Sequence, residues 1–395
     1  MIKLAEATND DQDLDALSEW ISGYPRLTQG HLTKEYETKW SEYLGVKNSV
    51  SVNSGSSANL LMLYAMIEAG DLEPGDAVIV PALSWATDLA PVIQLGLTPI
   101  LCDCNMNDFS LDLDHLDALL SKGVVFEEQN IRIKKRAKAV ILVPVLGFVP
   151  DMEKVVSICD KHNVILLEDC CESLGSEYKG QKLGTFGVMS TFSTFFGHHI
   201  STIEGGMICV NDSKYHKILR SIRAHGWGRD WTLKQQEEAR VHWEVSEFDS
   251  AFTFYTAGFN CRSTDLQAFL GIRQLNKLPA IVEKRNENYK KYLTLLGMPD
   301  ELEGFYVSNF AFPVISTMRE KLIEELIANG VECRPLICGS LGEQPVYVKR
   351  FGELKLPNAS FIKKYGMYVP NHHLLSDGDI QKIAGIIKGS FYGRN

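Results

Sequence analysis

The stretch STFFGHHISTIEGGM, residues 193–207, sets two adjacent imidazoles between an aromatic run and an acidic glycine turn. A neutral imidazole moves protons near physiological pH, so His198 or His199 suits general acid–base work. A histidine pair on a loop also fits a metal site, which needs a third ligand that the spacing does not supply. Lysine is absent from the whole interval between Lys182 and Lys214, so no primary amine is available here. Two more groups carry chemistry. In NSGSSANLL, residues 53–61, Gly55, Ser56 and Ser57 open an apolar-periodic helix, and free amides with the positive helix end suit a phosphate. A serine N-cap without ligand explains the same residues equally well. In NVILLEDCCESLG, Asp169 ends an apolar run, where a carboxylate needs a partner such as a protonated ring nitrogen, or else caps a following helix.

The elements that must position these groups are readable from periodicity. DAVIVPA, TPILCDC, AKAVILVPVLG, NVILLED, STFSTF and GGMICVND read as strands buried on both faces. Amphipathic stretches such as SANLLMLYAMIEAG and MEKVVSICDKH lie between them, so the expected fold is α/β with a mostly parallel sheet. Ligands of such sheets gather beyond the carboxyl ends of the strands, where all three groups fall. After a long helical pattern through LQAFLGIRQLNKLPAIVEKRNENYKKYL the texture changes. We expect a large domain over 1–275 and a smaller α+β domain over 276–395.

Composition narrows the function classes. The 395-residue chain has a formal net charge of −10 and no long basic run, which argues against nucleic acid as a ligand. The opening MIKLAEATNDDQDLD turns acidic at once, and the most apolar stretch, AVILVPVLGFVP, is too short and too proline-rich to cross a bilayer. A cytoplasmic protein without membrane contact is expected. Nine cysteines, mostly inside apolar strands, read as reduced thiols rather than a disulfide framework or a metal site.

Taken in order, SGSSANL, EDCCES, STFFGH, IEGG and GFNCR resemble the motifs of the DegT/DnrJ/EryC1 group. These are sugar aminotransferases of the aspartate aminotransferase-like, pyridoxal-phosphate-dependent fold (fold type I). The family pattern puts a cofactor lysine five residues after the serine and six before the acid; counting from Ser193 and from Glu204 both reach His198. An imidazole cannot form a Schiff base with the cofactor aldehyde. That replacement marks the sugar 3-dehydratases of the family, and PALSWATDLAP, IRAHGWGRDW and VECRPLICG strengthen the likeness. The branch that adds a four-cysteine iron–sulfur cluster is excluded, because WTLKQQEEARVHWEVSE contains no cysteine.

The resemblance implies pyridoxal or pyridoxamine 5′-phosphate held non-covalently, with His198 as the catalytic base. It implies Trp85 stacked on the ring, Asp169 on the ring nitrogen, and Glu172 on the ring hydroxyl. Gly55, Ser56, Ser57 and Ser193 are implied on the phosphate, and Asn260 on the partner subunit's phosphate in a homodimer with shared sites. His225, Arg229 and Arg334 are implied near substrate. The substrate class is a nucleotide-linked 4-keto-6-deoxy sugar, GDP-linked by preference, losing its C3 hydroxyl on the way to a colitose-type dideoxysugar, with L-glutamate as amino donor. Three alternatives remain: a 3-dehydratase of another nucleotide sugar, a non-catalytic regulator that kept the fold, and an ordinary aminotransferase, which the missing lysine opposes.

Overall fold

A computed structural model describes residues 1–128, 131–299 and 304–392. Seven strands form the main sheet: Asn48–Val52 (β1), Ala77–Pro81 (β2), Thr98–Cys102 (β3), Ala137–Leu142 (β4), Ile165–Asp169 (β5), Met189–Ser193 (β6) and Gly206–Val210 (β7). Their order is β1-β7-β6-β5-β4-β2-β3, and every pairing is parallel except those of β7, which runs against both neighbours. Buried along their whole length, β2, β3, β6 and β7 account for the unbroken apolar runs in the sequence.

Alternate residues of the same strand feed two cores. Val78 and Val80 join one with Leu61, Met62 and Met66; Ala77 and Ile79 join the other with Trp40, Val155 and Leu278. Helices thus cover both faces, as right-handed β-α-β crossovers require. Helix Gly55–Glu68 (α1) begins where Ser54 Oγ accepts from the Ser57 amide at 3.1 Å. Helix Ala86–Gln94 (α2) follows Trp85, and the 32-residue helix Asp265–Leu296 (α3) opens on a Thr264–Gln267 capping box.

The last of these helices links the cores. Leu275, Leu278, Ile281 and Val282 belong to the second core, whereas Tyr292 and Leu293 enter a third with Phe312, Met367 and Ile383. That third core lies against a small antiparallel sheet of Phe312–Ile315 (β8), Arg334–Pro335 (β9) and Gly366–Val369 (β10), ordered β8-β10-β9. The N-terminus docks here too: the Ile2 amide donates to Gly330 O at 2.7 Å and the Glu332 amide to Ile2 O at 2.9 Å. No helix among the described residues is long and apolar enough to cross a membrane.

Candidate active site

The carboxyl ends of β1, β2, β5 and β6 open on one cleft of about 380 Å³. Because β7 runs the other way, its first residue, Gly206, meets Ser193 on one side and Val52 on the other. A Cβ on Gly206 would lie 2.3 Å from Ser54 O, and one on Gly55 would lie 2.8 Å from Ser193 Cβ and 3.1 Å from Cys171 Sγ. These approaches draw the start of α1, the Ser193 hydroxyl and the Glu204–Gly206 turn into one cradle. Only the hydrogen side chain of glycine leaves that space open. Gly55 and Ser56 line the cleft, as does Ser193, so amides and a hydroxyl converge on an anion-sized space. Ser57 is not among the lining residues. The Ser54 cap takes its amide, and its hydroxyl lies 3.1 Å from Ser54 Oγ.

Trp85 caps one wall with 57% of its surface exposed, which leaves its ring free to meet a flat ligand. On the floor, Asp169 is buried and accepts from Asn59 Nδ2 at 2.6 Å and from the Cys171 amide at 2.9 Å. Asn59 is itself fixed by Thr191 Oγ1, which donates to Asn59 Oδ1 at 2.6 Å. Glu172 accepts from the Leu146 amide at 2.8 Å. Burial, with the Asp169 charge added, pushes its carboxyl up to about 7 despite that amide.

The two histidines separate cleanly. His198 lines the cleft, half-buried, with its enclosed Nδ1 lacking a partner. Burial pulls its imidazole down to about 4, with Arg285 acting in the same direction and Asp169 and the Cys171 backbone opposing. It is therefore neutral at physiological pH and can accept a proton. His199 points away from the cleft. It is fully buried, with Nε2 3.0 Å from Ser308 O, so this nitrogen carries the hydrogen. The Phe310 ring lies 5.3 Å from His198 and 6.2 Å from His199, and Arg285 donates to Phe310 O at 2.8 Å. Among the described residues no lysine lines the cleft.

Arg334 also reaches the cleft, paired to Glu332 at 3.0 Å. Arg229 is placed elsewhere. It lines a second, basic cleft of about 470 Å³ with Arg26, His31, Lys34 and Arg262, its guanidinium 4.8 Å over the Trp227 ring. His225 meets Trp227 edge to face, with ring centroids 5.2 Å apart, and its left-handed backbone (φ 63°) is fixed by its amide donating to Phe259 O. Exposed Asn260, bridged to Ala224, does not line the first cleft.

Sequence reasoning missed Asp88 and Asn59. Asp88 follows Trp85 by one helical turn and lines the cleft. Asn59 is the only polar side chain among the buried residues of α1, a signal that was readable in SSANLLMLYAM. The donor set and the cradle fit a phosphate-bearing pyridine cofactor: an anion pocket, an exposed ring to stack on and a buried acid.

Residues 8–388 match the DegT/DnrJ/EryC1/StrS aminotransferase family. The chain is 33% identical to a GDP-4-keto-6-deoxy-D-mannose 3-dehydratase of Yersinia pseudotuberculosis, over 98% of each chain. It is 30% identical to a GDP-perosamine synthase of Caulobacter vibrioides over 92% of this chain and 90% of that one. A crystal structure of a GDP-4-keto-6-deoxymannose-3-dehydratase with a trapped PLP–glutamate geminal diamine superposes with a TM-score of 0.87 at 32% identity, covering 98% of this chain and 100% of the other.

Proposed function

The chain belongs to the DegT/DnrJ/EryC1/StrS aminotransferase family, with its pyridoxal-phosphate fold and cofactor. On that footing we propose that it is a 3-dehydratase of a GDP-linked 4-keto-6-deoxy sugar. The observation that carries this reading is the lining of the cleft: His198 is there, where motif spacing puts the family's lysine, and among the described residues no lysine lines the site. The cofactor is then held non-covalently, by the Gly55 and Ser56 amides and the Ser193 hydroxyl on its phosphate, Trp85 against its ring, and Asp169 on its nitrogen. Glu172 meets the ring hydroxyl. When bound, the cofactor supplies an electron sink that lets a hydroxyl leave the carbon beside a ketone-derived centre.

The protein's own part is positional and protolytic. Neutral His198 would take the proton from the carbon that carries the cofactor's amine and, as imidazolium, would give a proton to the departing C3 hydroxyl. Trp85, Phe195 and Phe310 shield that proton from bulk water. L-Glutamate as amino donor is supported by the glutamate adduct of the 32%-identical relative. Asn260 faces outward and not into its own cleft, which supports a homodimer in which it serves the partner's phosphate. The basic cleft around Arg26, Lys34, Arg229 and Arg262 suits the substrate's diphosphate. Incubating the purified protein with cofactor, glutamate and a panel of GDP-, CDP- and dTDP-linked 4-keto-6-deoxy sugars tests this. A 3-deoxy product from the GDP sugar supports the proposal; a 4-amino sugar as sole product overturns it in favour of transamination.

A further inference from the structure

Asp88 stands on α2 with 1% of its surface exposed, facing the cleft floor. One amide holds it beside Asp169: Asn59 Nδ2 donates at 2.6 Å to Asp169 Oδ2 and reaches Asp88 Oδ1 at 3.3 Å. The other Asp88 oxygen, Oδ2, is buried and finds no donor. An ionised oxygen so enclosed is costly.

Among the described residues no cation acts on it to offset a second negative charge. The titratable groups that face the pair are Glu172, the Cys171 and Cys338 thiols, and His198, which acts on Asp169. Glu172 is another acid, both thiols are pushed up by burial, and His198 is neutral. Ser84 is the remaining hydroxyl at hand, and it also donates to the Pro81 carbonyl. A proton on Oδ2 resolves the conflict, because the orphaned oxygen then becomes a donor with Asp169 as its acceptor. Two carboxyls this close share one proton between them. It resides on Asp88, because the N–H donors at 2.6 and 2.9 Å go to Asp169 and Asp88 is left with one at 3.3 Å.

We propose that Asp88 is a positioning residue for the cofactor: it stays protonated and hydrogen-bonds to Asp169, so that one carboxylate charge, not two, faces the ring nitrogen. Burial, followed by the charge and hydrogen bond of Asp169, indeed holds the Asp88 carboxyl well above the usual carboxylate range. Three donors then hold Asp169: the Cys171 amide, Asn59 and Asp88. Its outward lone pair is left to meet a protonated pyridine nitrogen, and the pair's single negative charge balances that cation in a dry site.

This rests on the cofactor site and not on the sugar reaction, so its test needs no turnover. Infrared difference spectra of cofactor-free protein at pH 7 should contain the carbonyl stretch of a protonated carboxylic acid that Asp88→Asn removes. Asp169→Asn should shift the same band by changing its acceptor, which assigns it even if Asp88→Asn folds poorly. Quenching of Trp85 fluorescence reads affinity for pyridoxamine phosphate. Asp88→Ala should weaken it about ten- to a hundredfold, the loss expected for a hydrogen bond to a charged group, and Asp88→Asn, which keeps a donor, should restore most of it. Absence of any band that responds to either substitution overturns the proposal. So does an Asp88→Asn variant that binds as weakly as Asp88→Ala, because an ionised Asp88 could not be replaced by an amide.

Discussion

Two clefts of this protein handle charge in opposite ways. In the cofactor cleft burial displaces the groups placed to do chemistry: His198 falls to about 4 and Glu172 rises to about 7. The basic cleft gathers Arg26, His31, Lys34, Arg229 and Arg262 around a single acid, Asp230. One tunes individual protons through desolvation; the other accumulates charge where solvent still reaches it. Chemistry needs the first arrangement and capture of an anionic substrate needs the second.

If that division is right, the largest loss belongs to His198. His198→Asn should lower turnover by about 10²–10⁴-fold while leaving pyridoxamine phosphate bound, as measured by release of the 3-deoxy product and by Trp85 fluorescence. His198→Lys should let borohydride fix the cofactor to the chain, which the unaltered protein should resist. The pH profile of kcat/KM should keep its acid limb near the value of about 4 set by His198, well below an ordinary histidine's. His199→Asn should retain far more activity, since its ring meets Ser308 and not the cleft.

Next in size is the basic cleft. Replacing Arg229 and Arg262 by glutamine should raise KM for the nucleotide sugar about tenfold per charge lost, with kcat largely kept and the salt dependence flattened. A fall in kcat at constant KM would instead make both clefts parts of one catalytic unit. Asn260→Ala should weaken cofactor retention several-fold, about the worth of one hydrogen bond, in a protein that sediments as a dimer. A fully active monomer breaks that reading.

The smallest effect concerns stability. His372 and His373, like His198, are pulled down by burial to about 4 from an ordinary 6.5. As pH falls from 6.5 towards 4 the unfolded chain takes up protons that the folded one refuses, so denaturant midpoints should drop across that window. Asp88 works the other way: its raised carboxyl costs more as pH rises above the unfolded value, so the advantage of Asp88→Asn over the unaltered protein should grow with pH.

Much of this was readable beforehand, for identifiable reasons. MEKVVSICDKH is a helix over Met152–His162, and the long pattern that opens on Asp265 ends at Leu296, because caps and 3.6-residue periodicity are local signals. GFYVSNFAFPVIS forms only the short strands Phe305–Tyr306 and Phe312–Ile315, since the intervening residues bond instead to Leu146, Ser176 and Arg285. Asp169 and His198 were legible as departures from apolar or motif context. Asp88 was not. An acid in the first turn of a helix is what the helix dipole favours anyway, and its partner lies 81 positions away in another strand. Arg229 stands out by its motif, but its separation from the cofactor cleft is a fact of packing that no spacing encodes.

The docked N-terminus sets an order of events in the making of the protein. Leu4 donates its amide to Glu332 across 328 positions, and Leu4 and Ala5 also line the cofactor cleft. A ribosome adding about 5–20 residues per second needs on the order of tens of seconds between those partners. For that interval Leu4 lacks the Glu332 carboxylate that holds it, and one wall of the cleft is not fixed. Cofactor capture by a finished site therefore waits until synthesis has passed Glu332.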